Sequence, residues 1–182
     1  VAFKLNGPAG IDREAVRTDM RKAVAAFINT EGQIQSKTID LSKAQKADSP
    51  QELKLKSDSM PFLWAAATNK YFAAIAVPVP HKDQKYCDWL SDKQQSFYDA
   101  QTDDDDDNTL GIDFTVAAHG LAPAGTEQSS VEYKFELYLG PKDKELFDNN
   151  EYYSRLGFIH TIDFIACCCP AAIIRPLAFF IL

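Results

Sequence analysis

Histidines and carboxylates are the usual proton-transfer groups of active sites, and this chain has both without arranging them in a recognisable motif. The three histidines, His81, His119 and His160, lie far apart in the sequence. His119 follows a predicted strand and could face a cleft, although a histidine at a loop end more often has a structural or exposed role. No Gly-rich phosphate loop, G-x-S-x-G elbow or H-E-x-x-H helix is present. We therefore predict no enzyme activity and no cofactor.

The four cysteines are one isolated residue, Cys87, and a consecutive trio, Cys167, Cys168 and Cys169. Adjacent cysteines form a disulfide only with strain, so this pattern is not a disulfide framework. The trio also lacks the C-x-x-C spacing that wraps a zinc ion. The sequence favours small apolar side chains in a hydrophobic segment, with S-acylation near a membrane surface as the alternative.

Residues 103–107 are five consecutive aspartates, which could suggest a calcium loop. An EF-hand loop needs Gly at its sixth position and Glu at its twelfth. Counted from Asp103, those positions hold Asn108 and Phe114. We therefore predict a solvated, self-repelling loop and no metal site.

The composition is that of an ordinary globular protein, with 46% hydrophobic and 25% charged residues in 182. This length suits one domain with a sizeable core. The 19 Lys and Arg residues against 26 Asp and Glu residues give a formal net charge of −7. Such an acidic chain repels phosphate groups, so we predict no nucleic-acid partner.

Short apolar runs separated by turn residues predict a mainly β protein, a β-sandwich. A competing interpretation makes residues 12–27 one amphipathic helix, because alanines favour it. Residues 81–108 are predicted to be a long polar loop, and residues 144–153 to begin as a helix. In residues 131–139 the odd positions are apolar, so we expect one face to pack and the other to meet water. The predicted strands are residues 1–5, 22–28, 33–41, 62–67, 71–78, 110–118 and 131–139.

The C-terminal segment is hydrophobic: residues 164–182 approach the roughly 20 apolar residues that cross a bilayer. Pro170 and Pro176 interrupt this segment, and proline within a helix removes a backbone donor. Arg175 at bilayer depth would cost roughly 3 kcal/mol, whereas near the headgroups it could snorkel. We predict a kinked helix lying at the membrane interface, with a helix buried in a soluble core as the alternative.

Three segments resemble the periplasmic domain of YidC/OxaA-type membrane protein insertases. Residues 71–78, YFAAIAVP, are similar to a strand of that family, and residues 135–142, FELYLGPK, are similar to its strand and GPK turn. Residues 5–11, LNGPAGI, are similar to an earlier turn of the same domain. Order and spacing agree over most of the chain. Because the chain starts and ends inside apolar patterns, we expect it to be a piece of a longer protein.

The resemblance implies two parts. Residues 1–156 would form a periplasmic β-supersandwich, similar in outline to sugar mutarotases, and residues 157–182 an interfacial α-helix leading into the transmembrane insertase core. The arginine of that core is not assigned to Arg175. Residues predicted to face the membrane interface are Phe158, Ile162, Phe164, Ile173, Ile174, Arg175, Leu177, Phe179 and Phe180.

The implied function is that of a scaffold and docking part, on the periplasmic side of the bacterial inner membrane, which assists insertion and folding of inner-membrane proteins. The implied partners are the lipid surface, nascent membrane proteins reached through the parent protein, and the secretion channel.

Two alternatives stay open. One is a carbohydrate-binding or carbohydrate-modifying sandwich of the envelope, with Trp64, Tyr71 and Phe72 stacking on sugars. The other is a plain envelope interaction domain with a buried C-terminal helix.

Overall fold

The computed structural model describes residues 1–9, 20–40, 52–54, 60–99, 109–117, 120–126 and 129–162. They form nine strands, two short helices and a 3-10 helix. The strands are β1 Ala2–Asn6, β2 Lys22–Ile28, β3 Ile34–Asp40, β4 Glu52–Lys54, β5 Phe62–Thr68, β6 Phe72–Val79, β7 Leu90–Asp99, β8 Thr109–Val116 and β9 Lys134–Pro141. After them come α1 Lys144–Asn149, α2 Glu151–Leu156 and the 3-10 helix Phe158–Thr161.

The strands make two antiparallel sheets. One sheet has four strands in the order β1-β8-β7-β4, and the other has five in the order β3-β2-β5-β6-β9. This arrangement confirms the predicted mainly β sandwich. The predicted strands outside residues 81–108 are found within three residues of their expected ends.

Strand β2 shows why the helical interpretation of residues 12–27 is wrong over its described part. β2 pairs with β3 on one side and with β5 on the other. Ala23 and Ala25 face the core between the sheets, whereas Val24 and Ala26 face the core on the opposite side of the five-stranded sheet. An alanine-rich run buried on both faces needs small side chains there, and tertiary packing overrides its helix propensity.

The two cores lie on opposite faces of the five-stranded sheet. Between the sheets, Phe27, Phe62 and Phe114 pack with the alanines of β2 and β5. On the outer face, Trp64 and Ile75 pack against residues of α1 and the 3-10 helix. The fold therefore has three layers: a four-stranded sheet, a five-stranded sheet and a helical layer.

Strand β7 lies inside the stretch predicted to be a long loop, so that prediction is wrong for Leu90–Asp99. β7 is held by backbone pairing with β8 on one side and with β4 on the other. Its sequence, LSDKQQSFYD, has no clear apolar alternation and therefore gives no strand signal. The run of aspartates at 103–107 lies outside the described residues.

Two turns between predicted strands are each closed by an asparagine side chain. The Asn29 Oδ1 atom accepts hydrogen bonds from the backbone N–H groups of Glu31 and Gln33, which closes the hairpin between β2 and β3. The Asn69 Oδ1 atom likewise accepts from Tyr71 and Phe72 at the turn between β5 and β6. Asparagine favours such turns because its short side chain can replace a backbone acceptor.

Candidate docking surface

β9 is an edge strand, and its inner face is covered by core residues at one end and exposed at the other. Phe135 packs against Phe3, Trp89 and Phe114 in the core between the sheets. Further along the same face, Leu137 is 60% exposed and Leu139 is 71% exposed. On the neighbouring strand, Phe72 is 50% exposed. We call Phe72, Leu137 and Leu139 the apolar strip.

The strip is uncovered because the two sheets differ in width. β1, the edge of the four-stranded sheet, contacts β5 and β6. β9 lies one strand further out, as the edge of the five-stranded sheet. The described part of the four-stranded sheet therefore does not extend over Leu137 and Leu139.

A groove of about 390 Å³ lies between one end of the strip, at Phe72 and Leu139, and the turn after β1. Phe72 and Leu139 line one wall, and Gly7 and Pro8 line the other. Apart from Asn6, the lining consists of apolar side chains and backbone. Among the described residues, no ionisable side chain lines the groove, so its lining has the chemistry of an apolar binding surface.

Gly7 fixes the position of the turn that forms the second wall. Its backbone N–H donates to the carbonyl of Leu110 over 3.2 Å. A Cβ atom at this position would lie 2.3 Å from that carbonyl oxygen and 2.7 Å from the Cβ of Ala67. Only glycine allows this approach, so the groove is anchored to the middle of both sheets.

The backbone of β9 is unpaired along its outer edge among the described residues. The Lys142 N–H donates to the Tyr71 carbonyl, and the register then turns the even-numbered residues of β9 towards β6. The N–H and C=O groups of Leu137 and Leu139 therefore point outwards from the edge of the sheet, on the side opposite β6. A row of free donors and acceptors beside exposed leucines is a template for an added strand.

On the opposite face of β9, Tyr138 packs against the helical layer, which corrects the prediction that this face meets water at that position. The charged residues of the same face are exposed, as predicted. The Tyr138 ring lies 5.4 Å from Phe147 and 5.3 Å from Tyr153, centroid to centroid. Its hydroxyl donates to the Pro141 carbonyl over 2.6 Å. Burial raises the pKa of the Tyr138 hydroxyl. Alternation shows which residues share a face but not which face is covered.

The Tyr152 hydroxyl of α2 donates to the Glu136 carboxylate of β9, so helix and edge strand are joined. Burial, and then this hydrogen bond, raise the pKa of the Tyr152 hydroxyl. The Arg155 guanidinium lies 5.7 Å from the centre of the same ring. These contacts fix β9 on its helical side, opposite the apolar strip.

Phe158, predicted to face lipid, is buried in the helical layer with 1% exposure. Its ring lies 5.7 Å from Trp64 and stacks on Tyr153 at 5.1 Å. The prediction is therefore wrong for Phe158. Hydrophobicity alone does not distinguish a side chain buried in a protein core from one that faces lipid. Ile162 is half-buried against the same cluster.

The other predicted membrane-interface residues lie outside the described residues: Phe164, Ile173, Ile174, Arg175, Leu177, Phe179 and Phe180. Among the described residues, no helix is long and apolar enough to span a bilayer.

The residues singled out for chemistry do not come together in the described structure. The Nδ1 atom of His81 lies 2.9 Å from the Asp88 carboxylate, and His160 lies in the 3-10 helix. Cys87 is half-buried, and burial raises the pKa of its thiol, which disfavours the reactive thiolate. The described ranges contain no group of three or more His, Cys, Asp or Glu side chains that could hold a metal ion. His119 and the cysteine trio lie outside the described ranges.

Comparison with known proteins identifies the family. No curated protein and no solved structure matches the chain. The family model described as the YidC periplasmic domain matches residues 9–178. This match covers every described strand except β1, the helical layer and most of the C-terminal segment, so the chain belongs to the YidC periplasmic domain family.

Proposed function

We propose that this chain is the periplasmic scaffold and docking part of a membrane protein insertase, which assists inner-membrane proteins in inserting and folding. The observation that carries the proposal is the apolar strip beside the open edge of β9. Exposed apolar surface on a soluble domain commonly marks an interaction site. Here it adjoins backbone N–H and C=O groups of β9 with which no described strand pairs, and such groups suit an extended polypeptide segment.

The proposed work is binding and not bond chemistry. An extended apolar segment lying on the strip would cover Leu137 and Leu139, and each square ångström of buried apolar surface would contribute about 25 cal/mol. Pairing with the free N–H and C=O groups of β9 would fix its direction. The candidate partners are nascent membrane proteins, reached through the parent protein, and the secretion channel.

The second part of the proposal concerns the lipid surface. The predicted interfacial helix comprised residues 157–182, but the 3-10 helix Phe158–Thr161 belongs to the helical layer. The proposed helix is therefore residues 163–182, lying at the periplasmic face of the inner membrane with Arg175 at headgroup level. Phe158 has no part in this contact because it is buried. The proposed lipid-facing residues of this helix are Phe164, Ile173, Ile174, Arg175, Leu177, Phe179 and Phe180. Ile162, which was also predicted to face the membrane interface, comes before the helix and is half-buried against the helical layer.

Vesicle flotation tests the lipid contact. The full chain should float with phosphatidylethanolamine–phosphatidylglycerol vesicles, and a chain ending at Ile162 should stay at the bottom of the gradient. Ending at Ile162 retains Phe158 and therefore the helical core, and a thermal melt checks that the shortened chain is folded. Equal and poor flotation of both chains would show that the lipid contact is wrong.

Site-specific photo-crosslinking tests the docking role. A photoreactive residue at Leu139 of the membrane-embedded parent protein should crosslink to a ribosome-stalled membrane segment or to the purified secretion channel. Leu121 is the matched control, because it is 58% exposed and is not part of the strip. If position 139 gives no more product than position 121 with either partner, the docking role is wrong.

A further inference from the structure

We propose that His81 is a proton-operated clamp that holds together three chain segments at one end of the sandwich. The segments are the turn after β6, the approach to β7 and the approach to β9. In the protonated form His81 joins all three, and loss of a proton releases one of the joints. The proposal concerns regulation of the scaffold and does not depend on the docking role of the apolar strip.

Both ring nitrogens of His81 lie beside an acceptor. The Nδ1 atom is 2.9 Å from the Oδ2 atom of Asp88, and the Nε2 atom is 3.3 Å from the backbone carbonyl of Glu132. The His81 backbone N–H also donates to the Oδ1 atom of Asp88 over 3.2 Å. A neutral imidazole carries one N–H group, so it can donate to only one of the two ring partners. The arrangement is fully satisfied only by the imidazolium form.

The clamp lies beside an aromatic contact between the two sheets. Trp89, next to Asp88, is buried and donates its indole N–H to the Val79 carbonyl over 2.8 Å. Its ring is 4.9 Å from that of Tyr133, which follows Glu132. Trp89 leads into β7 of the four-stranded sheet, and Tyr133 leads into β9 of the five-stranded sheet. His81 therefore connects the ends of strands from both sheets.

The turn that presents His81 is itself well defined. The Gln84 N–H donates to the His81 carbonyl over 3.1 Å, and Asp83, the third residue of this turn, has a φ of 70°. A positive φ at the third position is the mark of a type II turn. The closed turn thus fixes the backbone of His81, from which the imidazole extends towards Asp88 and Glu132.

The groups that face the imidazole favour its charged form. The hydrogen bond to Asp88 raises the pKa of His81, partial burial opposes this, and the Glu132 carbonyl adds to the increase. Burial alone would raise the pKa of Asp88, but its hydrogen bonds with His81 lower it. The Glu132 carboxylate pairs with Lys134 over 3.2 Å, and the Tyr133 ring lies 6.4 Å from the imidazole.

The pH window follows from these directions. The pKa of His81 is higher in the folded chain than the ordinary value of about 6.5. The contribution of His81 to folding stability is therefore fully present below about pH 6.5. The contribution is lost as the pH rises through the folded pKa. Asp88 sets the lower limit, because its pKa is depressed and its contribution is lost as the pH falls through that pKa.

NMR titration of the 182-residue chain and of Asp88→Asn tests the proposal. The His81 ring should titrate above about 6.5 in the parent chain and at a lower pH in the variant. The Trp89 indole and Tyr133 signals should shift with the same midpoint as His81 in the parent chain. His160 serves as the internal reference, and its midpoint should not respond to Asp88→Asn. The clamp would be overturned by a His81 midpoint that Asp88→Asn leaves unchanged. It would also be overturned if the Trp89 and Tyr133 signals in the parent chain did not shift with the midpoint of His81.

A second measurement uses stability. The difference in urea midpoint between the parent chain and His81→Gln should be large near pH 6 and should shrink as the pH rises through the His81 midpoint. His160→Gln is the matched control and should not show that profile. A constant difference for His81→Gln would reduce its role to packing and overturn the proposal. If His81→Gln does not fold, the titration of the parent chain and Asp88→Asn decides.

Discussion

The indole N–H of Trp64 donates to the backbone carbonyl of Leu156 over 2.7 Å, and these residues are 92 positions apart. Trp64 belongs to β5, the central strand of the five-stranded sheet, and has 0% exposure. Leu156 is the last residue of α2. This hydrogen bond fixes the end of the helical layer on the middle of the sheet.

Loss of that hydrogen bond should destabilise the chain. Trp64→Phe retains a large ring but leaves the Leu156 carbonyl without its donor, so we expect a loss of about 1–3 kcal/mol. Urea unfolding measures it. Tyr71→Phe at a 49% exposed position should change the free energy of unfolding by less than about 0.5 kcal/mol. Equal effects of the two substitutions would contradict this account of Trp64.

Phe158 should behave as a core residue. Phe158→Ala removes a ring that contacts Trp64, Phe147 and Tyr153, and we expect a loss of about 3–5 kcal/mol in unfolding free energy. Leu139→Ala, on the exposed strip, should cost less than about 0.5 kcal/mol. A negligible effect of Phe158→Ala, measured by the same urea unfolding, would instead favour a lipid-facing side chain.

Replacing Gly157 by alanine should destabilise the chain more than replacing Gly125 by alanine. Both have positive φ values, 68° and 91°, so alanine at either site should cost about 1–3 kcal/mol in backbone strain. At Gly157 an added Cβ would also lie 2.8 Å from the Cδ1 atom of Ile34, whereas at Gly125 nothing lies within 4 Å. Thermal melts of the two alanine variants should therefore show the lower midpoint for Gly157→Ala. The reverse order would exclude the proposed crowding.

Asn150 should act as the helix cap of α2. Its Oδ1 atom accepts hydrogen bonds from the backbone N–H groups of Tyr152 and Tyr153. Asn150→Ala should cost about 1 kcal/mol, and Asn150→Asp should restore most of this because aspartate caps equally well. Urea unfolding of the pair tests the assignment, and a failure of the aspartate variant to recover stability would argue against it.

Leu137 should matter for docking and not for folding. At 60% exposure, Leu137→Lys should change stability by less than about 0.5 kcal/mol. The same change places a charge on the apolar strip, so it should reduce crosslinking from position 139. Leu121→Lys provides the matched control and should leave the crosslinks intact. Undiminished crosslinking in Leu137→Lys would mean that the strip does not contact the partner.

The local signals in the sequence were sufficient for most strands and turns. Asn29 and Asn69 close turns through their own side chains, and the apolar runs of β2, β5 and β6 are long enough to identify buried strands. β7 escaped prediction because its strand state depends on pairing with β4 and β8, which are distant in sequence or weakly patterned.

The candidate surface was harder to predict because coverage is a tertiary property. The pattern of β9 puts Phe135, Leu137 and Leu139 on one face, but Phe135 is covered and the two leucines are not. That difference arises from the unequal widths of the sheets. The same limit applies to Phe158, whose hydrophobicity is equally suited to a core or to lipid.

The attachment of α2 to β5 determines which strand bears a force applied from the C-terminal side. Ile162 is linked to the sheet through the 3-10 helix, Phe158 and the Trp64–Leu156 hydrogen bond. Tension applied at Ile162 would therefore load the central strand, which has neighbours on both sides, and not an edge that could peel away. We therefore expect the sandwich to stay folded when a force is applied at Ile162.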